Sequence, residues 1–207
     1  MNTGETVFKQ TYRYYLSRIR EISLPSLADT LGAEAAGDKL KIPFLGEKYT
    51  VSGEAINDSA GAMPPYDICV ILSKYILMCP DALPGQGDWV NFRDLKEAGP
   101  LTKFFANDVE HAIAKYFSGR SADLKNAAHL SDGYRPELDI NSDIAAQFNA
   151  LPRIPMLLLC NDADEEFPAS CSVLFRSSVE TFLDAECIAM MGVRLFYHLK
   201  NANARQE

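Results

Sequence analysis

Residues 160–167, "CNDADEEF", place Asp162, Asp164, Glu165 and Glu166 directly behind the apolar run "IPMLLLC". Carboxylates at that density can ligate a hard cation or share acid–base work. An EF-hand loop opening at Asp162 requires glycine at its sixth position and glutamate at its twelfth. Phe167 and Val173 stand there instead, so that motif fails. General acid–base chemistry needs a second positioned group, and the local sequence supplies none. The competing reading is a charged turn that keeps the end of a buried strand in water, its carboxylates accepting hydrogen bonds from backbone donors. No catalytic and no metal-ligating residue is assigned; the four acids are kept as ligand-binding candidates.

The second constellation is Trp89, Phe92 and Arg93 in "GDWVNFRDL", which contains the only tryptophan. An aromatic pair beside a guanidinium can stack on a planar ligand or clamp a carboxylate or phosphate. The alternative is that the two rings anchor a long loop to the core while Arg93 reaches outward. All three join the list of ligand-binding candidates.

Other chemistry-bearing types lack the spacing they need. His111, His129 and His198 have no His or Cys partner at ligand spacing, and HExxH and CxxC are both missing, which argues against a structural zinc site. A Cys–His pair assembled across the fold stays open. Cys79-Pro80 reads as a helix stop rather than a haem contact. "PGQGDW" holds a G-x-G without the third glycine and flanking strand of a dinucleotide loop, and neither a Walker lysine loop nor a G-x-S-x-G elbow is present. The cofactor is left unknown. Five cysteines in a chain of this size read as reduced, packed thiols.

The elements that must position these residues follow from periodicity. Phe8, Tyr12, Tyr15, Ile19 and Ile22 share one helical face, and "SLPSLADTLG" predicts a short second helix stopped at Gly32. "KLKIPFLGEKYTV" alternates and turns near Gly46, a hairpin over about 39–51 with Pro43 marking an edge strand. Residues 66–79 are apolar all round, predicting a buried helix. Asn107 with Glu110 three positions later resembles a capping box for a helix ending at Gly119, and 121–133 reads as a further short helix. "DIAAQFNAL" alternates and "RIPMLLLC" is a continuous apolar run, so 143–160 is a second hairpin. A long C-terminal helix is expected over 178–200, with Ser177 and Glu180 at its start. The fold class is α+β: one domain over 1–207, with antiparallel sheet from two hairpins packed with five to six helices.

The chain has 207 residues and a net charge of −8. That balance repels a phosphate backbone and an anionic bilayer surface, so nucleic acid and membrane are excluded as partners. No stretch reaches the length of a spanning helix, and the N-terminus lacks the layout of a secretory signal. The expected location is cytoplasmic.

The succession "IPFLGEKYTV", "ILSKYIL", "LPGQGDWVNFRDL", "ALPRIPMLLLC" and "DADEEFPASCSVLFRSSVETFLDAE", closed by an amphipathic helix, resembles the prokaryotic family known as domain of unknown function 3786. Its most specific parts are G-x-W-V-x-F-R at Gly87 to Arg93 and D-E-E-F-P at Asp164 to Pro168. The family has no assigned activity. The resemblance implies bacterial and archaeal relatives, many of them anaerobes, often joined to an iron–sulfur domain like that of corrinoid proteins in one-carbon metabolism. An iron–sulfur or corrinoid protein is therefore the partner it implies. This chain lacks the closely spaced cysteines such a cluster needs. The leading expectation is a non-catalytic ligand- or partner-binding accessory module; the alternative is an enzyme with an unfamiliar carboxylate and histidine site.

Overall fold

The computed structural model describes residues 3–204. In chain order the elements are α1 (Thr3–Arg20), α2 (Ala28–Leu31), β1 (Glu34–Ala36), β2 (Lys39–Phe44), β3 (Glu47–Val51), β4 (Ile56–Asn57), α3 (Tyr66–Leu77) and β5 (Trp89–Asn91). They continue with α4 (Thr102–Phe105), α5 (His111–Phe117), α6 (Ser121–Leu130), β6 (Ile144–Leu151), β7 (Ile154–Asn161), β8 (Ser170–Arg176) and α7 (Ala185–Ala204). The architecture is α+β, as the alternating and 3.6-residue patterns require.

Each hairpin seeds its own antiparallel sheet of four strands. The first runs β1-β2-β3-β4 and the second β5-β8-β7-β6. The Leu45 N–H donates to the Ala150 carbonyl at 2.9 Å, tying the turn of the first sheet to the edge of the second. Tyr75 of the buried helix α3 reinforces that junction. Its hydroxyl donates to the Leu31 carbonyl at 2.7 Å and accepts from the Arg153 N–H at 3.2 Å.

One face of the second sheet is core. Phe148, Met156 and Phe175 lie in one cross-strand row, and Ala146, Leu158 and Val173 in the next; all six are buried. Phe105 closes over them, edge-on to Phe175 and stacked on Phe92 with ring centroids 4.3 Å apart. Burial of six such side chains contributes on the order of 10 kcal/mol before entropy is charged against it.

Three sequence expectations change. Asn107 and Glu110 do not cap a helix start, because α4 continues through a π-helical turn, Ala106–Glu110, into α5. The extra residue in that turn swings Glu110 onto β8, where its carboxylate accepts from the Val173 N–H at 3.0 Å. Ser177 to Thr181 form a 3-10 turn, and the long helix begins at Ala185, capped by Asp184, whose carboxylate accepts from the Cys187 N–H at 2.9 Å. Glu180 turns away to the Lys96 N–H at 2.6 Å.

The cysteines are the third correction. Cys160 and Cys171 are joined in a disulfide, while Cys69, Cys79 and Cys187 are free thiols. The two bridged residues face each other in the β7–β8 register with Cα atoms 4.1 Å apart, the close spacing of a pair without mutual backbone hydrogen bonds. The expectation of reduced thiols failed because "SCSVLFR" does not alternate clearly enough to reveal a strand, and without β8 the two sulfurs have no reason to meet.

Candidate binding face of the second sheet

The opposite face of this sheet is half-exposed. Strand alternation puts Ala145, Gln147 and Asn149 of β6, Pro155, Leu157 and Leu159 of β7, and Ser172, Leu174 and Arg176 of β8 on it, with Trp89 and Asn91 of β5. Of these only Leu157 is buried. The register aligns them in rows. Gln147, Leu157, Leu174 and Asn91 form one row. The next holds Asn149 opposite Pro155 and Trp89 opposite Arg176, with Pro155 and Arg176 each one step along from the Met156–Phe175 pair. With strands about 4.8 Å apart, that row spans roughly 14 Å.

Trp89 lies half-buried on this face, and the arginine beside it is Arg176, not Arg93. The Arg176 guanidinium stacks on the indole with Cζ 4.3 Å from the ring centroid. One arm of its fork donates to the Gly87 carbonyl at 3.1 Å. The loop before Trp89 is pinned to the strand beyond Arg176: Ser177 N–H donates to the Asp88 carbonyl at 2.9 Å. Gly87 takes a φ of +69°, and a Cβ there would lie 2.0 Å from Ser177 Oγ, so this close approach requires glycine.

The other two residues of that constellation part company with it. Phe92 is 2% exposed and belongs to the core. Arg93 points to solvent, its side chain 71% exposed, with Nε 3.8 Å from Asp94 Oδ1. Surface pairs of that kind contribute little.

A cleft of about 310 Å³ opens at the Asn149 end of the same row, lined by Gln86, Tyr134, Gln147, Asn149, Arg153 and Ser178 among others. Tyr134 pairs with Gln147 in a backbone bridge along the free edge of β6. Its hydroxyl accepts from Gln147 Nε2 at 2.6 Å and donates to Asn149 Oδ1 at 3.3 Å. Arg153 spends its fork on the chain, donating from Nε to the Thr30 carbonyl at 3.0 Å and from an arm to the Asp29 carbonyl at 2.5 Å. The cleft therefore offers neutral donors and acceptors above an apolar floor, an arrangement suited to recognising a polar organic molecule.

The acidic turn lies elsewhere. Trp89 sits opposite Arg176 at one end of β8, whereas the turn enters β8 at Ser170, six residues or about 20 Å away. Asp162 Oδ1 accepts from the Gly119 N–H at 2.6 Å and from the Ala163 N–H at 2.8 Å. Those backbone donors, joined by Ser121, hold its carboxyl below the ordinary range. Asp164 Oδ1 accepts from the Glu166 and Phe167 N–H groups at 2.8 and 2.7 Å. Both aspartates thus shape the turn, while Glu165 and Glu166 face solvent beside Phe167, which is 66% exposed.

His111 and His129 do not converge on that turn. Each lies at the far end of a helix, α5 or α6, from the Gly119–Ser121 segment that Asp162 binds, about 12 Å along the rod. Among the described residues no cluster of three or more His, Cys, Asp or Glu is arranged to hold a metal, and no helix is long and apolar enough to cross a membrane.

Arg176, Tyr134, Gln147 and Asn149 were missed in the sequence. Gln147 and Asn149 carried a signal, as the polar alternates of "DIAAQFNAL", but read as ordinary solvent-facing partners. Arg176 carried none, because its partner is 87 positions distant.

Fold and face together define an α+β module with two antiparallel sheets, one of them presenting a half-exposed face that ends in a polar cleft. The family model for domain of unknown function 3786 matches residues 23–198, and the chain belongs to that family. Comparison with curated proteins and with solved structures found no match.

Proposed function

We propose that this chain is a non-catalytic accessory module that binds a small ligand or a partner protein on the half-exposed face of its second sheet. The observation that carries the reading is the row Trp89–Arg176–Pro155–Asn149, which runs across four strands into the polar cleft. A sheet face half-covered in the isolated chain, with an arginine-stacked tryptophan at one end and neutral hydrogen-bonding groups at the other, has the composition of a recognition surface. The net charge of −8 directs it away from nucleic acid.

The family's association with iron–sulfur and corrinoid proteins makes such a protein, or its cofactor, the partner proposed here, in a cytoplasmic setting. That part rests on association between domains and not on the face itself.

Because Trp89 is the single tryptophan, its fluorescence reports on this face without interference. Titration with corrinoids, tetrapyrroles, nucleotides and an iron–sulfur protein should give a saturable change for one class, weakened in Asn149→Ala and Gln147→Ala. Emission unmoved by every member of the panel, with no complex detected by native mass, overturns the reading.

A further inference from the structure

The Trp89–Arg176 pair has unmet hydrogen-bonding capacity. Trp89 Nε1 and Arg176 Nε are both buried N–H donors with no acceptor among the described residues. A buried donor left unpaired is costly, and both of these lie on register-paired residues whose side chains stack.

Charge makes the same demand. Four described arginines are half-buried: Arg120, Arg153, Arg176 and Arg194. Arg194 is held on both arms by the Asp67 carboxylate. Arg153 is saturated by two backbone carbonyls. Arg120 bonds the Tyr116 carbonyl and sits 4.0 Å from Asp123. Arg176 has one carbonyl and no carboxylate partner among the described residues. In a chain with acids in such excess, Arg176 is the half-buried guanidinium with neither a carboxylate nor a second carbonyl among the described residues. Desolvated charge needs a partner, and a guanidinium fork matches the oxygens of a carboxylate or phosphate.

We propose that Trp89 Nε1 and Arg176 form an oxyanion site for the carboxylate or phosphate of a small organic ligand. The uncharged polar part of that ligand extends over Pro155 into the cleft at Asn149, Gln147 and Ser178. This inference rests on the binding-module reading and adds the chemical class of the ligand.

The test uses the full chain. A ¹H–¹⁵N spectrum contains one indole N–H resonance, that of Trp89. It is followed during titration with benzoate, inorganic phosphate, neutral benzamide, and sodium chloride as the ionic-strength control. The expected result is a saturable downfield shift with benzoate or phosphate, and only a small linear drift with chloride. Arg176→Gln should weaken anion affinity at least tenfold, and Arg176→Lys, which keeps the charge without the fork, by less. Benzoate-only and phosphate-only responses each support the site and distinguish its two candidate oxyanions. Circular dichroism establishes that the variants are folded; should they not be, the wild-type titration decides alone. An indole signal that treats benzoate and phosphate like chloride overturns the oxyanion site. If neutral compounds still bind and Asn149→Ala abolishes that binding, the binding face stands and only the ligand class falls.

Discussion

Asp162 Oδ1 accepts from the Gly119 N–H at 2.6 Å, so the first residue of the β7–β8 turn is bonded to the chain just ahead of α6. The acidic run at 162–166 is therefore divided by role. Two aspartates shape backbone and two glutamates stay in water. Asp162→Ala should destabilise the fold by about 1 kcal/mol, since partial exposure discounts a charge-assisted bond. Its carboxyl is depressed in the folded state, so the stabilisation is full above the unfolded value near 3.9 and is lost as pH falls through the lower folded value. Urea unfolding of both proteins at pH 7 and in the acid range measures this. Equal stability at both pH values contradicts it.

Glu110 has the opposite sign. Burial raises its pKa, opposed by the Val173 N–H and by Arg93. The folded state then binds the proton more tightly than the unfolded one, so stability declines as pH rises from the ordinary glutamate value to the raised folded one. Glu110→Gln keeps an acceptor for Val173 and removes that charge; it should match or exceed the wild type at pH 7. Glu110→Ala leaves the Val173 donor unmet and should lose about 1–3 kcal/mol. Thermal melts of the pair decide it: a Gln variant as unstable as the Ala variant would mean the charge itself is needed.

The Cys160–Cys171 bridge closes a short loop with a sequence separation of 11, and chain-entropy reasoning gives it about 2–3 kcal/mol. Intact mass measured without reductant should be lower by two hydrogens than after dithiothreitol, and reduction should shift the denaturation midpoint downward. Full-mass protein from the native host, with no change on adding reductant, would show that the thiols are apart in the cell. That result would also favour the cytoplasmic setting, where disulfides are rare.

Much of the scaffold was legible because its signals are local. Alternation marks Leu40 to Val51 and Ile144 to Cys160, and the all-round apolar run marks Tyr66 to Leu77. Two of the four strands that build the binding face, β5 and β8, were not legible. Trp89–Asn91 is too short for any period to show, and "SCSVLFR" mixes its faces because one side meets the core and the other is only half-covered. With β8 unrecognised, Trp89 could only be linked to its chain neighbour Arg93. The residue that stacks on it is set by strand register, which one sequence does not reveal. The same gap hid the disulfide.

Gly87→Ala tests how the face is assembled. The positive φ and the contact with Ser177 Oγ oppose any side chain there, and the change should cost about 1–2 kcal/mol. It should also lift the loop from β8 and shift Trp89 emission to longer wavelength. An unchanged emission maximum would mean that the loop does not hold Trp89 in place.

The most direct test of the binding face is native mass spectrometry of the protein purified anaerobically from its own host, beside an Asn149→Ala, Arg176→Gln double variant. The expected result is added mass on the wild type, from a small molecule or a partner protein, that is missing from the folded variant. A wild type and variant that both fly as bare polypeptides, or that carry the same adduct, would contradict the assignment of binding to this face.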